Sequence, residues 1–416
     1  MTTRFDPEIR MGLLATQTVH PGAQVNVLGT EICQTIQSPA NDVPLVRGKR
    51  TLVRVYVGPT GFTGAAEVQG EIEVAPSAAA TAKYVASTGT ISVKATAYPD
   101  LNAQRRDIRT SLNFILPADV LSWSSLTVRV KRLFAGGSDI PVGANAPVTV
   151  SMIEAAPLRI KAIGLRYLLS TPGAPPKQIA PAAYHFDYLR SFLDRAYPVS
   201  TIEWSQLVVQ ADPRLAPPFS GPTTPDGNDP LWLGKLNIAH NQLSAIRAKD
   251  LDAGTDPRTH YYGLISDADQ GLFFRGAAKD IPQQPNPSIV AVGPTGNPAQ
   301  YPSLSWDTER SYGGWYGSHE LGHTFGRYHP GFCNQDASDP SFPYADGRIG
   351  DVANGDMIGV DMGDPSLGIP MRVMANESCH DIMTYCDNQW ISAYSYRAIL
   401  DRLSQEDTLF APVAGA

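Results

Sequence analysis

Eleven consecutive residues, HELGHTFGRYH from His319 to His329, have the types and spacing of a metal site. Residues four apart lie on the same face of a helix, so His319 and His323 can direct two imidazoles at one point. Gly326 permits the positive φ that ends a helix sharply, which lets His329 approach that point from a third direction. Three protein ligands leave a fourth position for water, as in catalytic zinc sites. Glu320 can then reach that water as a base without being a ligand itself.

The fixed positions of this run match the signature H-E-x-x-H-x-x-G-x-x-H, and the sequence therefore resembles the metzincin zinc proteases. That resemblance implies a methionine-containing turn beneath the zinc site, and residues 381–386 (DIMTYC) are similar to it. It implies that Met383 forms an apolar floor under the histidines, whereas an ordinary core methionine is the alternative. Tyr385 stands two positions further on, as in the astacin-like and serralysin-like branches, where the phenol lies beside the zinc. A buried core tyrosine is the competing interpretation.

Composition limits the classes of protein and of partner. The chain has 416 residues, more than one hydrophobic core usually serves, so two domains are expected. With 43% hydrophobic and 18% charged residues it resembles an ordinary globular protein. The formal charge of −7 and the lack of a basic cluster disfavour nucleic acid and anionic membranes as partners. No apolar stretch suits a membrane span, and the N-terminus lacks the apolar core of a signal peptide, so a removed signal or another export route is expected.

The four cysteines are Cys33, Cys333, Cys379 and Cys386. Cys333 closely follows the third histidine and Cys386 closely follows the turn methionine, so both are expected near the metal. A disulfide between them would tie the return loop to the zinc helix and would favour a secreted or extracytoplasmic setting. Buried thiols are the alternative, and Cys379 in place of Cys386 is the main competing pairing because both flank the methionine turn.

The N-terminal part reads as strands. We predict a tail at residues 1–24, an all-β accessory domain at 25–155 and a metzincin-like catalytic domain at 156–416. Residues 25–155 contain seven short runs rich in β-branched residues and no convincing helix, which favours an antiparallel, immunoglobulin-like sandwich. It has no candidate nucleophile, so a targeting or binding role is expected. The seven runs are residues 25–36, 51–57, 67–74, 90–97, 108–116, 125–134 and 148–153.

After Pro157 the pattern changes to alternating strands and helices, which predicts an α+β domain with a mixed sheet. The active-site helix is expected to begin between Asp307 and Trp315, and a last helix should close the domain. The predicted strands are residues 158–167, 201–209, 261–265, 271–278 and 288–292, and the other predicted helices are 184–197, 231–251 and 391–403.

This order of elements resembles the N-terminal subdomain of metzincins. There the fourth strand is an antiparallel sheet edge that pairs with substrate, and residues 271–278 match it by order. The resemblance makes Gly271, Leu272, Phe273 and Phe274 the candidate substrate-binding residues. A sheet edge offers N–H and C=O groups to an extended peptide, which can add itself as a further strand.

The region after the third histidine is rich in loops. Asn354-Gly355 predicts a type I′ hairpin between residues 349–353 and 356–360. A group of aspartates could suggest Ca²⁺, but they lack the spacing of an EF-hand loop, and a solvated loop is the simpler interpretation. These aspartates are Asp346, Asp351, Asp356, Asp361 and Asp364.

The sequence therefore predicts a hydrolase, a zinc-dependent endopeptidase with one catalytic Zn²⁺ that acts on extended protein or glycoprotein substrates. A β-domain before the zinc domain resembles bacterial secreted metalloproteases related to mucin-cleaving enzymes, and Pro330 with the Met-x-Tyr turn resembles serralysins. An adhesin or glycan-binding protein with an inactive zincin domain is the alternative, against which the presence of Glu320 argues. A metal-dependent amidase or deacetylase is disfavoured because those enzymes usually draw ligands from scattered residues.

Overall fold

The computed structural model describes residues 22–77, 80–94, 98–170, 173–215, 230–266, 275–296, 311–333 and 338–411. The chain forms two compact units. The first comprises Met1–Glu31 and Leu52–Val150, and the second comprises Ile32–Thr51 and Ser151–Ala416. The second unit is thus discontinuous in sequence, since residues 32–51 belong to it although the predicted boundary lay at 155.

The described elements are short strands and six α-helices, with several single turns of 3₁₀-helix between them. The strands in the N-terminal part are β1 (Gln24–Cys33), β2 (Ile36–Gln37), β3 (Leu45–Val46), β4 (Leu52–Thr60), β5 (Ala66–Ala75), β6 (Lys83–Ala86), β7 (Ile91–Val93), β8 (Leu112–Ile115), β9 (Ser125–Ala135), β10 (Ser138–Ile140) and β11 (Val148–Ile153). The later strands are β12 (Leu158–Leu169), β13 (Lys177–Ile179), β14 (Ile202–Gln210), β15 (His260–Ile265), β16 (Ala277–Ala278), β17 (Ala291–Pro294), β18 (Ile358–Asp361), β19 (Arg372–Met374), β20 (His380–Asp381) and β21 (Gln389–Trp390). The helices are α1 (Leu101–Arg105), α2 (Ala118–Leu121), α3 (Ala183–Ala196), α4 (Pro230–Asp252), α5 (Gly313–Thr324) and α6 (Ala393–Leu409).

The first unit is built from two sheets. One has the order β1-β4-β8, and in the other β5 pairs antiparallel with β6, β7 and β9. The sheets pack on each other, because a Cβ placed on Gly70 of β5 would lie 3.1 Å from Phe114 and 3.3 Å from Leu112, both on β8. Alternating buried residues along β5 and β9 supply the inner faces. The immunoglobulin-like topology of this unit stays a prediction.

The second unit contains a mixed sheet. Strands β14, β12, β15 and β17 run parallel, and β16 joins β17 antiparallel at one end. Parallel strands need crossover connections, which α3 supplies between β12 and β14 and α4 between β14 and β15. Neighbouring residues of β15 point to opposite faces of this sheet. Tyr262 packs in the core that contains α3 and α5, whereas Tyr261 packs in the core that contains α4.

The segment Ile32–Thr51 completes a smaller sheet of the second unit, in the order β19-β18-β2. The carbonyl of Thr35 accepts a hydrogen bond from the indole N–H of Trp390 at 2.9 Å, and its hydroxyl donates to the carbonyl of Arg195 at 3.0 Å. Ile36 and Val43 lie in the same core as helix α5. This N-terminal segment is therefore a structural part of the second unit.

Most predicted strands and helices occur where the sequence placed them, which gives a mixed α/β chain with many strands and few helices. Two short helices were not predicted in the first unit. The side chain of Asp100 caps α1 by accepting from the N–H of Ala103, and such a single turn carries no periodic signal. α2 is one turn long and has no side-chain cap.

The hairpin predicted at Asn354-Gly355 was wrong. A carboxylate oxygen of Asp351 accepts from the N–H of Asn354 at 2.8 Å and fixes a 3₁₀ turn, which Gly355 ends at a φ of 91°. Strand β18 then pairs with β2 and β19 instead of with residues 349–353. A local side-chain cap has replaced the expected strand pairing.

Candidate metal centre

The site is built on helix α5, which begins at Gly313 and is buried along its whole length. It packs in one core with α3, β15 and β17, so its backbone is held on several sides. The N-cap residue is Tyr312, whose side chain makes no capping hydrogen bond. The hydroxyl of Ser311, one residue earlier, accepts from the N–H of Gly313 at 3.1 Å. A helix buried in this way can place side chains with little freedom to move.

Two histidines of α5 present the same ring nitrogen to one point. The Nδ1–H of His319 donates to the carbonyl of Ile382 at 2.7 Å, and that of His323 donates to the carbonyl of Arg327 at 2.7 Å. A carbonyl can only accept, so in each ring Nδ1 carries the hydrogen and Nε2 keeps its lone pair. Such second-sphere bonds are the usual way in which a metal-binding histidine is oriented.

The third histidine reaches the same point because the helix ends sharply. Gly326 has a φ of 77°, as predicted, and its N–H donates to the carbonyl of His323 at 2.8 Å. The N–H of Arg327 closes the turn by donating to the carbonyl of Gly322 at 3.0 Å. This left-handed turn brings the ring of His329 to 4.6 Å from that of His323, centroid to centroid.

The donor set fits zinc. One ring nitrogen from each of His319, His323 and His329 lies within 4.8 Å of the others. The Nε2 atoms of His319 and His329 are 3.3 Å apart. Two nitrogens each about 2.0–2.1 Å from one ion at a tetrahedral angle are separated by about the same distance. Three imidazoles with these spacings suit a transition metal such as Zn²⁺.

Burial also lowers the pKa values of the three histidines. It lowers the pKa of His323 to about 4, and burial with the charges of His323 and Arg275 lowers the pKa of His329 to about 3. The pKa of His319 is lowered well below its ordinary value for the same reasons, burial first. All three rings are therefore neutral at pH 7, which is the form that binds a metal.

Glu320 lies among these neutral rings. Burial raises the pKa of its carboxyl to about 8, while the backbone N–H of Ala278 and the charge of Arg275 oppose that shift. A cation bound by the histidines would favour the ionised form again. The carboxyl is thus placed to exchange a proton close to neutral pH.

The methionine turn lies directly against α5. Met383 is buried, and a Cβ added to Gly322 would lie only 2.6 Å from its sulfur. Asp381 organises the turn, because its carboxylate accepts from the backbone N–H of Met383 at 2.8 Å and from that of Ser392 at 3.0 Å. Burial raises the pKa of Asp381, and these hydrogen bonds oppose the shift. The same turn supplies the carbonyl that orients His319, so the shape of the turn determines the orientation of that ring.

Tyr385 lies beside the histidines. Its ring centroid is 5.1 Å from that of His329 and 6.0 Å from that of His319. The guanidinium carbon of Arg275 lies 4.0 Å from the centroid of the same phenol ring. At this separation the cation interacts favourably with the aromatic face.

Cys333 and Cys386 form a disulfide with a Cα–Cα distance of 5.2 Å. Cys379, the competing partner in the sequence, is buried and lies outside this bond, and burial raises the pKa of its thiol to about 11. The disulfide joins the chain just after the third histidine to the end of the methionine turn. Two loops beside the histidine cluster are thereby linked covalently.

The predicted substrate-binding residues Gly271, Leu272, Phe273 and Phe274 lie outside the described residues. The described end of that segment is β16, which lies antiparallel to β17 at the end of the mixed sheet. The N–H of Ala278 in β16 donates to the carboxyl of Glu320. The end of this segment therefore lies beside the candidate base.

The aspartates after the third histidine do not converge on one point in the described ranges, where the histidine triad is the group found that could hold a metal. Asp361 is buried and pairs with Arg195 and Arg372. Asp364 accepts from the hydroxyl of Ser191 at 2.7 Å and from the N–H of Ser366 at 3.0 Å. These carboxylates form ion pairs and cap turns, and thereby stabilise the fold.

The sequence analysis missed the roles of two residues of the site. Asp381 is the first residue of the predicted methionine turn, but its role in organising that turn was not predicted, although an aspartate at the start of a turn is a capping signal. Arg275 gave no signal, because its position beside Tyr385 and Tyr316 depends on contacts between residues far apart in the chain.

No family model matches the chain, and no curated protein matches it. Among solved structures, the crystal structure of metalloproteinase-II from Bacteroides fragilis is similar over 70% of this chain and 78% of that chain. The TM-score is 0.26 and the sequence identity is 13%. At this TM-score the similarity carries no conclusion about the function of this chain.

No helix in the described part of the chain has both the length and the apolar character needed to cross a bilayer.

Proposed function

We propose that this chain is a zinc-dependent endopeptidase of the metzincin type. The observation that carries the proposal is the convergence of His319, His323 and His329, with ligand nitrogens as close as 3.3 Å, around a buried helix that also carries Glu320. Carbonyl acceptors behind two of the rings fix the tautomer that a metal requires. An arrangement of three neutral imidazoles and one adjacent carboxyl is the donor set of a hydrolytic zinc site.

In this proposal the three histidines hold Zn²⁺, which supplies Lewis acidity and an acidified water. Glu320 accepts the proton of the attacking water and delivers it to the leaving amine. Burial raises the pKa of this carboxyl and a bound cation would lower it, and these opposing effects favour proton exchange near neutral pH. Tyr385 donates a hydrogen bond to the carbonyl oxygen as negative charge develops there.

We infer an extended polypeptide substrate, either protein or glycoprotein. Strand β16 ends the mixed sheet and runs antiparallel to β17 next to Glu320. A peptide bound along such an edge would be held as an added strand close to the histidines. The first unit, which has two packed sheets, would then serve as an accessory or targeting module.

We place this activity outside the cytoplasm. The disulfide between Cys333 and Cys386 lies beside the metal centre, and disulfides persist in oxidising compartments. Secretion accordingly fits the proposed action on protein or glycoprotein outside the cell.

The test is the substitution Glu320→Gln. The amide keeps the size of the side chain but cannot accept the proton, so turnover should fall to background while zinc content stays near one per chain. The exposed Glu154 provides a matched control, and Glu154→Gln should keep wild-type activity. New termini would be mapped by mass spectrometry after incubation with a mixture of proteins and a mucin-type glycoprotein, with and without chelator.

The outcomes separate the alternatives. Loss of the metal in Glu320→Gln, or full activity, would contradict the role assigned to Glu320. Binding of glycoprotein without any new terminus would favour the adhesin or glycan-binding alternative. Loss of acetyl or amide groups without a new peptide terminus would favour an amidase or deacetylase.

A further inference from the structure

A small cavity opens beside the metal centre. Its volume is about 90 Å³, enough for more than one water molecule. It lies between the first turns of α5 and the methionine turn, next to His319. Its walls include Arg275, Trp315, Tyr316, Tyr385 and Gln389.

The cavity has one charged wall. Among the described residues that line it, Arg275 is the side chain with a permanent charge. The other walls are aromatic rings, a hydroxyl and an amide. The charge of Arg275 also reaches the site itself, because it lowers the pKa of both His329 and Glu320. A group that enters this cavity therefore meets a positive potential.

Two aromatic residues hold the guanidinium of Arg275 in place. Its carbon lies 4.0 Å from the ring centroid of Tyr385, and its N–H hydrogen-bonds to the hydroxyl of Tyr316. Tyr316 belongs to the buried helix α5, so the arginine is positioned against a rigid element. A guanidinium that stacks on a ring keeps its N–H groups in its own plane, where they can meet a carboxylate in a two-point contact.

We propose that this cavity is a subsite for a carboxylate on the substrate, next to the bond that is cleaved, and that Arg275 is the residue that selects for it. The inference rests on the proposed peptidase function. The carboxylate has two possible sources. An aspartate or glutamate side chain agrees with the proposed endopeptidase, whereas the terminal carboxylate of the peptide would make the enzyme a carboxypeptidase. Both present the same planar anion to the arginine. The small volume favours a short acidic group over a large aromatic side chain.

The test uses the full zinc-loaded chain and a peptide library that is random at the positions around the cleaved bond. Acidic residues should be enriched at one fixed position beside that bond, or cleavage should occur at a fixed short distance from the C-terminus. Peptides with an amidated C-terminus distinguish these two sources, because amidation removes cleavage only when the terminal carboxylate is the group recognised.

Paired peptides that differ only by Asp or Asn at the selected position then measure the preference. For the wild type, kcat/KM should differ by at least about tenfold, as expected for a hydrogen-bonded charge. If the terminal carboxylate is selected instead, the pair is the free acid and the amide. Arg275→Gln should make kcat/KM equal for the two peptides, and Arg275→Lys should restore part of the difference between them. Arg132→Gln, an exposed arginine of the first unit, is the matched control and should keep the preference.

Binding gives a readout that does not depend on turnover. In the inactive Glu320→Gln protein, calorimetry should find the acidic peptide bound at least about tenfold more tightly than its neutral partner. Adding Arg275→Gln to that protein should make the two affinities equal. Zinc content and melting temperature of each variant show whether it is folded and loaded.

The results separate this inference from the function on which it rests. If no peptide or protein is cleaved at all, the proposed peptidase function fails. If peptides are cleaved without an acidic preference, or if Arg275→Gln keeps that preference, the subsite is overturned and the peptidase function stands.

Discussion

The phenol ring of Tyr385 lies 5.1 Å from that of His329, and its face is covered by Arg275. Tyr385→Phe removes the hydroxyl and keeps both ring contacts. Loss of one donor to a developing oxyanion typically lowers the rate about a hundredfold, about 3 kcal/mol. We expect that fall in turnover with little change in KM, zinc content or melting temperature. Unchanged turnover would assign Tyr385 to packing alone, and a collapse in stability would show that the hydroxyl serves the fold.

Gly322 stands between the two helix-borne histidines and against the methionine turn. A Cβ at this position would lie 2.6 Å from the sulfur of Met383, so Gly322→Ala must displace that side chain. We expect a loss of about 1–3 kcal/mol of unfolding free energy from overpacking. Zinc should also bind less tightly, because the neighbouring carbonyl of Ile382 orients His319.

A matched control is available on helix α4. A Cβ added to the exposed Gly234 would meet nothing within 4 Å. Gly234→Ala should therefore raise stability by about 0.5–1 kcal/mol, the usual gain for alanine over glycine in a helix. Denaturant unfolding and zinc competition would measure both variants, and equal effects of the two substitutions would contradict the steric argument.

Some residues of the candidate site could be predicted from the sequence, and others could not. The histidines, Glu320 and Gly326 could be predicted, because their spacing along one helix and its terminal turn determines their relative positions. Arg275 could not be, since nothing near it in the sequence indicates that it lies over Tyr385. Contacts formed by tertiary packing leave no local pattern.

At the scale of elements, the disulfide joins two loops that are 53 residues apart in sequence. In the chain-entropy model, closing a loop of that length contributes about 4 kcal/mol to stability. Replacing Cys333 and Cys386 by serine should therefore destabilise the second unit and increase hydrogen exchange in the methionine turn more than in the first unit. Reductant should have the same effect on the wild type and none on the double variant. Equal changes in both units would contradict this assignment.

The elements themselves were predictable where periodicity is strong. Helix α3 and strand β12 occur within a few residues of the predicted bounds, because burial on one face repeats along them. The turn at Asn354 was missed because a single carboxylate, Asp351, decided the local conformation. Periodic patterns of apolar residues do not predict a short element whose conformation depends on one hydrogen bond.

At the scale of the whole molecule, Lys49 gives a prediction about pH. It lies in the segment Ile32–Thr51, is buried, and donates to the carbonyl of Asp194. Burial lowers its pKa from 10.5 to about 8, Asp194 opposes the shift, and Arg50 and Arg195 add to it. Between these values the unfolded chain binds a proton that the folded chain has lost, so stability of the wild type rises with pH across that window.

Lys49→Met removes this titration. Below pH 8 the variant avoids the cost of a buried charge, which is up to about 3 kcal/mol at 1.36 kcal/mol per pKa unit, less the lost hydrogen bond. Its advantage over the wild type should shrink as pH rises from about 8 to 10.5. Denaturant unfolding of both proteins at several pH values would measure this, and a difference that stays constant would contradict the buried charge.

Because the second unit is discontinuous in sequence, a chain cut at the predicted boundary cannot contain it completely. A chain that began at residue 156 would lack β2, so β18 would lose one of its two neighbours and the indole N–H of Trp390 would lose its acceptor on Thr35. No single cut in the coding sequence releases this unit whole, because about twenty of its residues are encoded ahead of most of the other unit. A contiguous segment that contains the whole second unit therefore also contains Leu52–Val150 of the first unit.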